Sequence, residues 1–205
     1  MKLHFALTSS LLLLVALFFS SCTYTPPIET TSSAGYLADY RATGADKATG
    51  EPITEKGYWD GDGVSGSPLI KINLDKQQSY FYKGDQLVGQ TYISTGKEGK
   101  RTPRGRYKVT QKDKDHSSSL YGVIKDNATG EIVVADAKTG RNVPKAGQTF
   151  VHAPMLNFLR FNGAIGMHTG HLPGYAASHG CVRLPNKMAE HFYENARLGT
   201  PVIVE

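Results

Sequence analysis

Leu69-Ile70-Lys71-Ile72-Asn73-Leu74 alternates apolar and polar side chains, and beyond a short polar turn holding Asp75 and Lys76 the chain continues as Gln78-Ser79-Tyr80-Phe81-Tyr82. A period of two puts every second side chain on one face, so a strand can bury one side and wet the other. The two runs and their turn therefore predict a hairpin. Lys83-Gly84-Asp85 turns the chain into Leu87-Val88-Gly89-Gln90-Thr91-Tyr92-Ile93-Ser94, and Gly105-Arg106-Tyr107-Lys108-Val109-Thr110 makes a fourth strand. Ile132-Val133-Val134, Gly163-Ala164-Ile165-Gly166-Met167-His168 and Pro201-Val202-Ile203-Val204 read as further strands. One helix is expected near the end, with Asn186 as its cap and Met188, Phe192 and Ala196 four apart on one face, stopped by Gly199 and Pro201. The fold class is mainly β, a β-rich α+β domain with one C-terminal helix.

Composition agrees with that reading. Hydrophobic residues at 40% and charged residues at 20% suit an ordinary globular fold, and 22 glycines with 11 tyrosines suit strands joined by tight turns. No internal repeat of solenoid period is present. A net charge of +5 and an isoelectric point near 9.1 favour anionic partners. The sequence has no zinc-finger spacing, no heptad-linked basic region and no RNP-like aromatic run, so it points away from nucleic acid and toward an anionic envelope polymer.

The chain opens with a weakly basic Met1-Lys2-Leu3-His4 and the apolar run Leu11-Leu12-Leu13-Leu14-Val15-Ala16-Leu17-Phe18-Phe19, which has signal-peptide length and is short for a membrane span. Phe19-Ser20-Ser21-Cys22 resembles the lipobox of bacterial lipoproteins, with Cys22 as the lipidated residue. The expected organisation is a leader over 1–22, a Thr/Ser/Pro/Gly/Ala-rich flexible linker over 23–66, and a catalytic domain over 67–205. Tyr58-Trp59 could pack locally on that domain. This implies an exported protein of the cell envelope or periplasm, anchored to a membrane through lipid. Cys22 and Cys181 are the two cysteines. With Cys22 lipidated, Cys181 has no partner in an oxidising compartment, and a reactive role explains its retention; the bland alternative is an inert buried thiol.

Cys181 sits in Ile165-Gly166-Met167-His168-Thr169-Gly170-His171-Leu172-Pro173-Gly174-Tyr175-Ala176-Ala177-Ser178-His179-Gly180-Cys181-Val182-Arg183-Leu184, a segment with three histidines. A cysteine attacks an acyl carbonyl as its thiolate, so it needs an imidazole within hydrogen-bond reach and a third group to orient the ring. His168, at a strand end, is the expected base. Gly180 lets the backbone turn sharply and aim amide N–H groups at a developing oxyanion. An extended Cys181-Val182-Arg183 puts Cys181 and Arg183 on one face, where the guanidinium favours the thiolate or holds a substrate carboxylate.

Ser178-His179-Gly180-Cys181-Val182-Arg183-Leu184 resembles the S-H-G-C-x-R signature of the L,D-transpeptidase catalytic domain, the YkuD family. Ile93-Ser94-Thr95-Gly96 followed by Thr102-Pro103-Arg104-Gly105-Arg106-Tyr107 resembles the same family's strand, S-T-G, loop and T-P-x-G-x-[FY] element. The resemblance implies a β-sandwich or barrel over roughly 68–205 with Cys181 as nucleophile, His168 as proton carrier and the Thr169 carbonyl orienting it. His179, Gly180 and Cys181 would form the oxyanion region, with Ser178 and Arg183 near substrate. It also implies peptidoglycan stem peptides as substrates, a cysteine thioester intermediate, no metal or organic cofactor, and an amine acceptor on a second stem or on a wall-anchored protein. Water as acceptor would make the enzyme an L,D-carboxypeptidase or amide hydrolase, and a non-catalytic wall-binding lipoprotein is a third reading.

Three features have plainer alternatives. His168, His171, His179 and Cys181 could ligate zinc, although no C-x-x-C spacing supports a structural site. His171 alone reads as a solvent-facing loop residue. The basic run Lys97, Lys100, Arg101, Arg104 and Arg106 could steer anionic polymer or be simply solvated, and the apolar, Pro-interrupted Phe150–Leu159 could form a cleft lid or core.

Overall fold

The structure, a computed structural model, describes residues 57–205. The leader, Cys22 and the linker up to residue 56 lie outside the described residues. The first alternating run forms β2 (Pro68–Asn73) and its partner forms β3 (Gln78–Lys83), paired antiparallel with Ile70 opposite Phe81. Gln77, in the turn between them, adopts a left-handed φ of 50°. β4 (Gln86–Tyr92) continues the meander, and β13 (Pro201–Val204) enters parallel to β2 and antiparallel to β5 (Gly105–Lys108). β1 (Tyr58–Trp59) closes the other edge on β4, which gives a six-stranded sheet ordered β1-β4-β3-β2-β13-β5.

A second sheet of four strands runs in the order β12 (Val182–Leu184), β11 (Ile165–Thr169), β10 (Phe158–Asn162) and β6 (Gln111–Asp113). The pair β11–β12 is parallel, and both other pairings are antiparallel. The core lies where the two sheets meet: Ile70, Ile72 and Phe81 of the first share one buried cluster with Leu159, Met167 and Val182 of the second. Each such side chain contributes about 1.5–3 kcal/mol by leaving water. Sheet-on-sheet packing of this kind is the sandwich that the family resemblance implies.

The helix α1 (Asn186–Asn195) turns Met188, Ala189 and Phe192 into the same core. Its cap differs from the expectation. Pro185 occupies the N-cap position with φ −56° and ψ 147°, and no side chain among the described residues caps the helix. Proline supplies the fixed extended entry, and Asn186 becomes the first helical residue, where its Oδ1 accepts from the Thr169 hydroxyl at 3.3 Å. The helix start is thereby tied to the end of β11.

A third sheet, β8 (Ile132–Lys138), β7 (Ser117–Asp126) and β9 (Gln148–Pro154), was only partly expected. β7 opens on three serines and alternates poorly, so no period of two marks it. The apolar stretch Phe150–Leu159 divides: it ends β9, turns at Asn157 with a left-handed φ of 58°, and begins β10. Ala153, Phe158 and Leu159 are fully buried, so this stretch is largely core.

The domain starts earlier than the composition suggested. Trp59 stacks on His191 at 4.9 Å, meets Phe81 edge-on at 5.3 Å, and donates its indole N–H to Asp62 at 2.9 Å. Residues 57–66 are thus attached to the sandwich edge rather than forming the end of a tether. Replacing Trp59 by alanine is expected to lower the unfolding free energy by about 2 kcal/mol, less than a fully buried tryptophan because one side faces solvent. Urea unfolding of the two proteins checks this, and an unchanged midpoint contradicts it.

Candidate active site

Cys181 ends a tight turn and directly precedes β12. Gly180 holds φ +126°, a region that side chains rarely adopt, and this conformation rather than lack of space demands glycine. The Ser178 hydroxyl ties the turn from within, accepting from the Gly180 amide at 3.0 Å and donating to the Cys181 carbonyl. That leaves the Gly180 amide engaged, so of the three residues expected around an oxyanion it is not the one offering an open donor.

A second set of ties comes from the strand end at Ser94-Thr95-Gly96. Ser94 and Arg183 exchange backbone hydrogen bonds at 3.0 and 2.9 Å, the Ser178 amide donates to the Thr95 carbonyl at 3.0 Å, and the Lys97 amide returns to the Ser178 carbonyl at 3.0 Å. Thr102 donates its hydroxyl to the Gly180 carbonyl at 2.8 Å and accepts from the Gly96 amide at 3.0 Å. A Cβ on Gly96 would lie 2.0 Å from the Lys100 carbonyl oxygen, so the loop closes only around glycine. Gln77 clamps Thr95 from the hairpin turn, through the Thr95 amide at 2.9 Å and hydroxyl at 2.8 Å. The two motifs separated in sequence are therefore one bracing assembly around the thiol.

His168 lies on β11 and is buried. Its Nδ1–H donates to the Thr169 carbonyl oxygen at 2.7 Å. Because a carbonyl only accepts, this bond puts the proton on Nδ1 and leaves Nε2 as an acceptor. Nε2 is buried without a hydrogen-bond partner, the kind of orphan that structures retain for function. Burial drives the His168 pKa from 6.5 down to about 3; the Thr169 bond opposes this, while Arg183 and His116 add to it. Burial likewise pushes the Cys181 thiol up, opposed by the Gly166 amide and by the guanidinium groups of Arg160 and Arg183. Both shifts favour neutral thiol beside neutral imidazole at rest.

Cys181 and His168 line one cavity of about 200 Å³, together with Ser178, His179, Arg160, Met155 and the Ser118–Tyr121 stretch of β7. His179 stacks on Tyr121 at 4.4 Å, and its Nε2 stands 3.9 Å from Asp136 on β8. Burial lowers its pKa, with Asp136 opposing and Lys97, Arg183 and Lys100 assisting. Arg183, expected at the substrate, is buried and does not line the cavity. Its side-chain stem lies against Gly170, where a Cβ would approach within 2.9 Å. His171, expected to face solvent, is half-buried. The basic run is exposed, and its Arg104 pairs with Asp75 at 2.8 Å. No group of three or more His, Cys, Asp and Glu side chains converges among the described residues, so the zinc alternative has no ligand set there.

Several cavity residues went unread in the sequence. Arg160 is a lone cation inside an apolar run, and Tyr121 belongs to a strand whose pairing is non-local, whereas Met155 lies in the apolar stretch weighed above as a cleft lid. His116, with Nδ1 2.9 Å from Asp113 and its ring stacked on Phe158 at 4.2 Å, carries no spacing signal.

Residues 67–204 match the family described as the YkuD L,D-transpeptidase catalytic domain, and the chain belongs to that family. An L,D-transpeptidase from Mycobacterium smegmatis superposes with a TM-score of 0.50 at 18% identity, covering 68% of this chain and 59% of that one. An Enterococcus faecium L,D-transpeptidase gives 0.49 at 22% identity, covering 69% and 50%, and one from Xylanimonas cellulosilytica gives 0.48 at 24%, covering 70% and 62%. At such identities the likeness is one of fold, and this chain spans less than two thirds of those structures. No curated protein matches the chain.

Iodoacetamide labelling of Cys181 is expected to keep accelerating with pH beyond the range where an ordinary cysteine levels off, because burial raises its thiol pKa. A plateau at or below the free-thiol range contradicts that. His168 carries a depressed pKa in the folded state, so its contribution to stability is whole above 6.5 and is lost as pH falls from 6.5 toward about 3. Urea midpoints should drop across that window more steeply for the natural protein than for His168→Asn, and equal slopes would disprove the assignment.

Proposed function

We propose that this protein is an L,D-transpeptidase of peptidoglycan stem peptides that works through a thioester on Cys181. The observation that carries the reading is the buried, unpartnered Nε2 of His168 in the same cavity as the Cys181 thiol. The His168 Nε2 takes the thiol proton as sulfur attacks the carbonyl of an L-centre, and backbone N–H groups of the turn stabilise the oxyanion. The C–N bond then breaks, and the proton held by His168 leaves with the terminal D-amino acid. An amine of a second stem, or of a wall-anchored protein, attacks the thioester, gives its proton to His168 and frees the thiol.

The depressed His168 pKa and raised Cys181 pKa support a pair that rests neutral. A strongly acidic imidazolium returns its proton readily to a leaving amine. The Arg183 guanidinium, buried beside this pair, favours the thiolate as it forms. In the hydrolytic alternative, water takes the amine's place at the same thioester. The apolar leader and the lipobox-like stretch ending at Cys22 support a site of action outside the cytoplasm on a lipid anchor, and the positive charge suits an anionic wall.

Muropeptide analysis by mass spectrometry after incubation with a stem-peptide donor is expected to show crosslinked or terminus-exchanged products with the intact enzyme and none with Cys181→Ser. Products unchanged by that substitution refute the proposal, and only shortened stems in the presence of amine acceptors would favour the hydrolase. His168→Ala should lower kcat by about 10²–10⁴-fold. Metabolic labelling with radioactive palmitate is expected to mark the natural chain and not its Cys22→Ser variant; labelling of both would remove the lipid anchor.

A further inference from the structure

We propose that Arg160 forms a carboxylate-binding subsite that grips the free terminal carboxylate of the donor peptide, immediately beyond the bond that Cys181 attacks. The register of the second sheet brings it there. Arg160 on β10 pairs with Gly166 on β11, while Met167 beside it pairs with Val182 on β12. Cys181, one residue before Val182, therefore stands at the level of Gly166, and the Gly166 amide interacts with its thiol. Arg160, Gly166 and Cys181 lie in one row across three strands. The middle member has no side chain, and the Phe158 ring on which the guanidinium rests fills the place its Cβ would take.

The guanidinium is preorganised. Its Nε–H donates to the Gln111 Oε1 at 2.7 Å, one Nη1–H donates to the Gly163 carbonyl at 3.0 Å, and its carbon sits 5.0 Å above the centre of the Phe158 ring. These contacts hold the fork and leave its Nη2 hydrogens without an acceptor among the described residues. Among the described residues no acidic side chain lines the cavity. Arg160 is thus a cation beside the thiol with no internal carboxylate to answer it, and planar bidentate pairing with carboxylate is what such a fork does best. Arg183, which carries the same charge, is buried off the cavity wall and cannot play this part.

A peptide ending in a D-residue carries its carboxylate on the Cα attached to the scissile nitrogen. When the preceding carbonyl meets Cys181, that carboxylate falls within a residue's length of the sulfur. Recognition there would admit peptides that end one residue past the scissile bond and disfavour extended or amidated ones. The identity of the ligand as a stem peptide rests on the proposed function, whereas carboxylate binding beside the thiol does not.

Two measurements separate these layers. In the first, Cys181 is alkylated with iodoacetate and with iodoacetamide, and the ratio of rates is compared with that of N-acetylcysteine. Both reagents need the thiolate, so the ratio cancels any change in its pKa and reads only attraction of the carboxylate. The natural protein is expected to favour iodoacetate by about tenfold over the free thiol, and Arg160→Met to lose that preference. Arg160→Lys, which keeps the charge without the fork, should fall between them and serves if the methionine variant does not fold. A ratio indifferent to both substitutions overturns the subsite. The second measurement compares acylation by a tetrapeptide stem and by its C-terminal carboxamide; the natural protein should prefer the acid and Arg160→Met should not discriminate. Acylation by neither peptide would sink the proposed function while the alkylation ratio still decides the subsite. Equal discrimination by natural protein and variant overturns the subsite even if the enzyme is a transpeptidase.

Discussion

The backbone exchange between Ser94 and Arg183 is the constraint on which the site depends. It joins the end of the β3–β4 meander to β12, and so welds the two halves of the sandwich at the residue two positions past the thiol. Parallel pairing of β12 with β11 then sets His168 opposite Arg183 and Gly166 at the level of Cys181. Every group around the sulfur inherits its place from this three-way junction. Ser178, Thr102 and Gly96 finish the work by fixing the turn that a positive-φ glycine opens.

Burial does electrostatic work at the same junction. A histidine in water would be partly protonated near neutrality, and a protonated ring cannot accept. Desolvation removes that competition, while the Thr169 carbonyl selects the tautomer with Nε2 open. The same desolvation protects the thiol from ionising without substrate, and the positive field of Arg160 and Arg183 limits how far that protection goes. In the proposed reaction the pair is quiet until a carbonyl enters.

Much of this was legible in the chain. β2, β3 and β4 announce themselves because one face is buried and the other wet, which writes a period of two into the residues. β13 was equally visible as a strand, yet its insertion between β2 and β5 was not, since no local pattern encodes pairing across most of the chain's length. β7 hid behind its serines, and with it Tyr121 and the far wall of the cavity. Cys181 and His168 were legible because a thiolate nucleophile demands an imidazole at short range, and the Thr169 carbonyl came only with the family resemblance; Arg160 was not legible, because a single cation in an apolar stretch has meaning only once the sheet register sets it beside the sulfur. Asn186 was misplaced as a cap for a related reason: the competing role of Pro185 depends on where β12 ends.

In the proposed reaction one sulfur captures the donor acyl group. Mixing the protein with a tetrapeptide stem in the absence of any amine acceptor, then mapping its peptides by mass spectrometry, tests this directly. The expected product is an adduct on the Cys181 peptide, equal to the donor less its terminal D-amino acid and cleaved by hydroxylamine. Release of the D-amino acid with no adduct at Cys181, continuing in Cys181→Ala, would contradict it.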